Sequence, residues 1–343
     1  CNLGLYQYII TWRDKRGVGY PFGQIQFDDS DRIAYFDYGT SVDSNYPIYF
    51  LSNRRFRDTG AWYHVVAAVN YADFDAGDPG RFKLWINGRS ETDVNTFNLA
   101  DQAPQTGASG AGANYIQIGR MYASTSYQLE HYLAEFNFID GYDYGPEYFG
   151  EFNSSDIWIP KEYSGSYSNE SFYLSFADTS DIGNDDSGNS KDFTAVGLAA
   201  GDVVTDSPTN NHCTWNTLTG SAQVYSEGNL KAATASSAWK GGLTTMQVPL
   251  NSGIWYYEMY IDSAGSSSGQ FSIGWSESDR SITDDNSSGD TEGWVTYAIN
   301  GKTYNNASST VSYGATYTTG DVIGCKIDTD TSSNNITFYK NGA

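Results

Sequence analysis

Few residues in this sequence stand in a pattern that does covalent chemistry. Gly265-Ser266-Ser267-Ser268-Gly269 satisfies the G-x-S-x-G spacing. A nucleophile elbow, however, needs a strand-to-helix turn to raise its serine, and here the motif lies in a Ser/Gly loop between two strand-like phrases. His64, His131 and His212 share no local metal spacing such as H-E-x-x-H, and the first two sit in strand-like phrases as core or edge residues. Glycoside hydrolysis needs two carboxylates about 5–10 Å apart, and no E-x-D-x-x-E strand is present to supply them. Glu258, inside an aromatic strand, is the one carboxylate to watch, against an inward, hydrogen-bonded structural role. The expectation is a protein that is not an enzyme.

Non-covalent chemistry has better material. Hard cations take clustered oxygen ligands from Asp/Asn-rich loops, and Asp186, Asn189 and Asp192 form such a cluster, a tentative calcium site. Asp73, Asp75 and Asp78 form another. Asp328, Asp330, Ser332 and Asn334 imitate the opening of an EF-hand loop, but no glycine follows at position six and no glutamate at position twelve. Each cluster also reads as solvated turn residues. Glycans would be held by exposed tyrosine or tryptophan faces with Asn/Asp hydrogen bonds at loop ends. Tyr142, Tyr144, Tyr163 and Tyr167 lie in loops and are the candidates, although among 28 tyrosines most must serve a core or an edge.

The elements that position these residues are strands. Aromatic residues make up 16% of the chain and 36 glycines supply its turns. In residues 81–90, Phe82, Leu84 and Ile86 alternate with Arg81, Lys83 and Trp85, and Asn87-Gly88 closes the strand with a hairpin turn. Residues 61–70 and 115–119 read as further strands, and residues 131–141 as one with Tyr132, Ala134, Phe136 and Phe138 on a single face. The same grammar resumes at 253–262, 270–278, 293–301, 321–330 and 335–342. A turn is expected at 145–149, and no amphipathic helix of ten residues appears. At 343 residues the chain is long enough for two domains. We place one at 1–177 and another at 216–343. The Asp/Asn/Ser/Gly-rich stretch 178–215 reads as a connector, with Phe193 and Val196 suggesting that part of it packs.

Charge narrows the partners. Nineteen basic residues stand against 41 acidic ones, a formal −22, so a nucleic acid, whose phosphates need clustered Lys and Arg, is excluded as a partner. Such acidity suits a salty medium and favours divalent cations. No run approaches the roughly 20 apolar residues of a membrane helix, so no membrane insertion is expected. Cys1, Cys213 and Cys325 are far apart and include no C-x-x-C pair, which makes them buried or incidental thiols rather than a zinc site or disulfide scaffold.

The later phrases resemble the SPRY domain: Gly253-Ile254-Trp255-Tyr256-Tyr257-Glu258, Ile273-Gly274-Trp275, Gly320-Asp321-Val322-Ile323-Gly324-Cys325 and Ile336-Thr337-Phe338-Tyr339-Lys340-Asn341-Gly342 stand in that family's order over about 110 residues. The resemblance implies further strands after Ala343, so this domain looks truncated. In the first half, Ala61-Trp62-Tyr63-His64-Val65-Val66, Leu84-Trp85-Ile86-Asn87-Gly88, Tyr115-Ile116-Gln117-Ile118-Gly119 and Leu133-Ala134-Glu135-Phe136 resemble a laminin-G or concanavalin-like jelly roll, as does the phrase Asp186-Ser187-Gly188-Asn189. The fold expected is all-β, two antiparallel jelly-roll or concanavalin-like β-sandwiches in tandem. The arrangement including residues 138–152, 158–167 and 204–211 is similar to structural proteins of marine bacteriophages.

That likeness implies a virion surface component, capsid or tail fibre, which binds host or environmental glycans, forms a homo-oligomer (a trimer by fibre analogy) and contacts other virion proteins. The alternatives are a purely architectural assembly protein and a bacterial cell-surface adhesin.

Overall fold

The computed structural model describes residues 3–14, 22–38, 48–70, 82–99, 114–121, 127–168, 170–220, 223–234, 241–264, 271–277, 294–305, 309–330 and 335–343. By its internal contacts the chain divides into two units, Cys1–His212 and Cys213–Ala343. Every strand pairing among the described residues is antiparallel. The helical pieces among them are two short 3₁₀ turns, and no helix there is long and apolar enough to cross a membrane.

The first unit contains β1 (Gln7–Asp14), β2 (Phe22–Phe27), β3 (Ile33–Tyr38), β4 (Ile48–Ser52), β5 (Val65–Val69), β6 (Phe82–Ile86), β7 (Arg89–Ser90), β8 (Val94–Leu99), β9 (Asn114–Ile118), β10 (Phe136–Phe138), β11 (Gly150–Phe152), β12 (Trp158–Pro160) and β13 (Phe172–Leu174). A six-stranded sheet in the order β8-β4-β3-β2-β1-β9 faces a three-stranded sheet β5-β6-β7. The inward alternate residues of the two sheets make one core: Ile10 and Trp12, Ile33 and Tyr35, Phe50, then Phe82, Leu84 and Ile86 from the opposite side. Tyr35, fully buried, stacks on Phe82 with ring centroids 4.3 Å apart. The period-2 pattern of residues 82–86 is thus spent on burial, as the alternation predicts. Asn87 and Gly88 both take positive φ, 49° and 73°, in the turn between β6 and β7. At Gly88 a side chain would also strike the Trp158 ring, so two constraints ask for glycine there.

Two sequence expectations change. The strand expected from residue 131 begins only at Phe136. Glu135 sits at φ 54°, a left-handed conformation that breaks the extended run, so Tyr132 is exposed while Phe136 and Phe138 pack against the core. The stretch 178–215 is divided between the units, and its first part folds back on β13: the Asp186 and Phe193 amides donate to Tyr173 O and Gly183 O, and the Phe193 ring lies 4.8 Å from that of Phe172. Val196, by contrast, is exposed.

The second unit contains β14 (Trp215–Gly220), β15 (Gln223–Ser226), β16 (Lys231–Thr234), β17 (Gly242–Thr244), β18 (Ile254–Tyr260), β19 (Ser272–Ser276), β20 (Trp294–Ala298), β21 (Lys302–Asn305), β22 (Ser309–Ser312), β23 (Val322–Asp328) and β24 (Asn335–Lys340). Sheets β18-β23-β24 and β19-β20-β21-β22 enclose Ile273, Tyr297, Ile323, Cys325 and Phe338 together with Ile261, Ile299 and Tyr317. Tyr257 and Met259 of β18 pack on this core, whereas Ile254, Tyr256 and Tyr260 on the other face of the strand are exposed. Burial pushes the Cys325 thiol up to about 12, so it is an inert core group; Cys213 is exposed.

Candidate functional site

Beside the first sandwich, residues 142–173 gather six tyrosines and a phenylalanine into one run of ring contacts. The local sequence explains why. Pro146, buried, opens the 3₁₀ turn Pro146–Tyr148 with a φ it already prefers. The turn brings Tyr148 back over Tyr144, ring centroids 4.2 Å apart. Tyr142 stacks on Tyr144 at 5.0 Å with planes 2° apart. From Tyr144 the run continues to Tyr163 (6.1 Å), which also stacks on Phe149 (5.2 Å), then to Tyr167 (5.2 Å) and Tyr173 (6.2 Å). Gly165 is required: a side chain there would fall about on the Tyr163 hydroxyl, which instead reaches Ser166 O at 3.3 Å.

The run is graded in exposure. Tyr163 is 8% exposed and anchors it; Tyr142 and Tyr148, the two rings stacked on Tyr144, are 60% and 44% exposed. Its inner end is tied to strands, Tyr167 Oη donating to Asn137 Oδ1 on β10 and Tyr173 Oη on β13 donating to Glu135. Burial, then neighbouring phenols, raises Tyr163; burial, then Tyr163 and nearby carboxylates, raises Tyr167; burial, then the bond to Glu135, raises Tyr173. These phenols therefore stay protonated donors across the physiological range. Around them the charge is one-sided: residues 130–190 hold thirteen carboxylates and a single lysine, Lys161. Lys83, from β6, lies 3.7 Å from Asp143.

The four tyrosines singled out in sequence are thus brought together. Tyr148, Phe149 and Tyr173 were not singled out, and the signal that finds the first two is Y-x-Y-x-P-x-Y-F, in which a proline turn between tyrosines folds them onto each other.

The tentative calcium ligands face separate partners. Asp186 accepts from Ser175 Oγ (2.5 Å) and Asn184 Nδ2 (2.6 Å). The Asn189 amide donates to Ser168 O and Ser171 O, at 2.6 and 2.9 Å. Asp192 accepts from the Asp185 N–H at 3.0 Å. The residue organising this loop is Asp185, 7% exposed, whose carboxylate accepts from the N–H groups of Tyr173, Ser187 and Lys191 and from Ser187 Oγ. Burial alone would raise its pKa, but these bonds outweigh it and the net shift is downward. Among the described residues no group of three or more His, Cys, Asp or Glu is arranged to hold a metal ion. Asp73, Asp75 and Asp78, the Gly265–Gly269 motif, Ser332 and Asn334 lie outside the described residues; Asp328 and Asp330 accept loop N–H groups, from Asp330 and Gly253 respectively.

The histidines stay apart. His64 is half-buried against Trp158 at 5.7 Å, and burial lowers its pKa. His131 stacks on Phe27 at 5.0 Å, with Nδ1 2.8 Å from Gln7 Oε1. That oxygen also accepts the Glu130 N–H, so the ring proton is placed on Nδ1. Burial lowers His131 to about 4. His212 meets Asn210. Glu258 is not inward: it is exposed, accepting the Tyr256 hydroxyl at 2.8 Å, a bond that leads in pushing that phenol up to about 12.

No curated protein matches the chain. The SPRY domain family matches residues 254–343, which run from the first residue of β18 past the end of β24 and include every residue of the second unit's buried core, so a SPRY domain occupies this part of the unit.

Proposed function

We propose that this chain is a non-catalytic adhesion protein whose first unit binds glycans, displayed outside the cell on a virion surface or fibre. The observation that carries the binding reading is the Tyr142-Tyr144-Tyr148 stack, with its two outer rings 60% and 44% exposed. Exposed aromatic rings held rigid by stacking offer flat apolar faces at low conformational cost. The C–H faces of a sugar pack on such rings while its hydroxyls meet flanking phenols and carboxylates. A SPRY domain, a generic protein-interaction fold, fits the same non-catalytic role. The virion setting, with its homo-oligomer and virion partners, rests on the likeness of residues 138–152, 158–167 and 204–211 to phage structural proteins.

Adhesion of the labelled chain to whole cells and to immobilised polysaccharides tests the reading. The native chain is expected to bind, and Tyr142→Ala/Tyr148→Ala to lose at least about tenfold, the usual scale for truncating aromatic anchors. A native chain that binds no surface overturns it.

A second, architectural reading is favoured by one observation, the exposed face of β18, where Ile254, Tyr256 and Tyr260 alternate on one side with Glu258, which accepts the Tyr256 hydroxyl. Such a face suits assembly against another copy of the chain or a virion protein. Sedimentation of the chain beside Ile254→Lys/Tyr260→Lys measures it: a native oligomer that the variant dissolves supports assembly, and a native monomer removes it.

A further inference from the structure

We infer that the tyrosine array takes an uncharged, hydroxyl-rich glycan and discriminates against anionic chains; this deepens the glycan reading of that array and rests on it. Three observations on the same residues lead there.

The first is the sign of the surroundings. Glu135, Asp143, Glu147 and Glu162 all lie along the residues that build the array, within a stretch of thirteen carboxylates and one lysine. Lys83 is already opposed by Asp143 at 3.7 Å. Uronate, sialate and sulfate groups are recognised by Arg and Lys forks, whereas the cation beside the stacked rings, Lys83, is a single ammonium already facing a carboxylate. A carboxylate or sulfate brought to about 4 Å of one of these side chains meets a repulsion of about 1 kcal/mol in water and about 4 kcal/mol near a protein surface. Salt at physiological strength screens this over about 8 Å, which weakens the repulsion without reversing it.

The second is the hydrogen-bonding inventory. The inner phenols, kept protonated by burial and their neighbours, already donate to Ser166 O, Asn137 Oδ1 and Glu135, so the charged groups along the array offer an incoming ligand carboxylate acceptors. A sugar hydroxyl can donate to such a carboxylate. An anionic substituent duplicates the acceptors and leaves them opposed.

The third is what the rings can still offer. Tyr144 is covered by stacking on two neighbours, whereas Tyr142 and Tyr148 keep exposed area at its two sides. That surface is apolar and uncharged, suited to the C–H face of a neutral pyranose.

The experiment is a glycan array carrying neutral glucans, mannans, galactans and N-acetylglucosamine oligomers beside alginates, sialylated chains and sulfated chains. It is read with the native chain and with Tyr142→Ala/Tyr148→Ala, a second variant, Tyr142→Phe/Tyr148→Phe, keeping the stack intact. Near-UV circular dichroism checks that each is folded. The expected signal is on neutral chains, retained between 20 mM and 500 mM salt, lost at least tenfold in the alanine variant and largely kept in the phenylalanine variant. Tyrosine-dependent signal mainly on anionic chains overturns the inference and leaves the glycan reading standing. Tyrosine-independent signal, or none on any chain, overturns the reading itself and the inference with it.

Discussion

In the second unit Tyr297 and Tyr317 are each 2% exposed, pack on Phe338 or on each other, and send their hydroxyls to backbone carbonyls of Ala315 and Tyr297. In the first unit Tyr142 and Tyr144 stack just as closely, yet Tyr142 is mostly in solvent. The same residue type is consumed by the fold in one place and left available in the other. What separates them is the location of the neighbours. The buried pair sits between two sheets that exclude water from both ring faces, whereas the exposed stack is held from one side by a proline turn and the Tyr163 anchor. A close ring contact therefore does not by itself mark a core, and ring exposure is the property that marks a surface available for binding.

The largest effect that tests this division is expected in the first unit's core. Tyr35 is fully buried and stacked on Phe82; Tyr35→Ala removes a ring that the two sheets cannot close over, at a cost of about 3–5 kcal/mol. Tyr148→Ala removes an equally stacked ring at a cost of about 1 kcal/mol, the worth of the pair contact. Thermal unfolding of both variants beside the native chain makes the comparison, and equal losses would show that the array is core after all.

How much of this was legible in sequence follows from what each element depends on. Strands that bury alternate residues, β6 above all, are written in period-2 patterns and were readable, as was the Asn87-Gly88 turn. The strand expected from residue 131 was overextended because Tyr132 and Ala134 continue the period of Phe136 and Phe138, and periodicity is blind to the single left-handed residue, Glu135, that ends it. In the stretch 178–215 the packing of Phe193 was readable, but the order around it was not, because composition counts aspartates as solvent-facing. Asp185 instead answers three loop N–H groups, a use that depends on loop geometry and not on residue content. The array's tyrosines could be named one by one, but their convergence depends on Pro146 and Gly165, whose effect is on backbone direction.

The next largest effect separates the units by pH. His131 is half-buried in the first unit, where desolvation lowers its pKa to about 4, and the second unit has no histidine. The fold favours the neutral ring, so its contribution is fully present above about pH 6.5. As pH falls below that, the unfolded chain takes up a proton that the folded chain refuses. Stability of the first unit declines until about pH 4, by on the order of 3 kcal/mol at about 1.4 kcal/mol per pKa unit. His131→Asn can keep the bond to Gln7 Oε1 and removes the titration. Calorimetry from pH 7 to pH 4 is expected to show one transition falling with pH in the native chain and falling less steeply in the variant, where His64, whose pKa burial also lowers, still titrates. A slope the variant leaves unchanged would assign the acid sensitivity elsewhere.

The smallest effect sharpens the comparison most, because it changes one atom. Tyr317→Phe and Tyr142→Phe each delete a hydroxyl and keep a ring. Tyr317 Oη donates to Tyr297 O at 2.9 Å inside the second unit's core, where water cannot replace it. Its loss is expected to cost about 1–2 kcal/mol, the penalty of a buried hydrogen bond with its partner left behind. Tyr142 is 60% exposed, so water replaces whatever its hydroxyl loses and the change is expected to stay within about 0.5 kcal/mol. On glycan binding the order reverses: Tyr317→Phe leaves affinity unchanged once folded, and Tyr142→Phe lowers it by at most a few fold, since the ring face carries the contact and the hydroxyl adds one solvent-competed bond. Unfolding midpoints and array intensities on the same two proteins measure both halves. If Tyr142→Phe destabilises the chain as much as Tyr317→Phe does, its hydroxyl is serving the fold, and the exposed stack must then be read as a buried element of the structure.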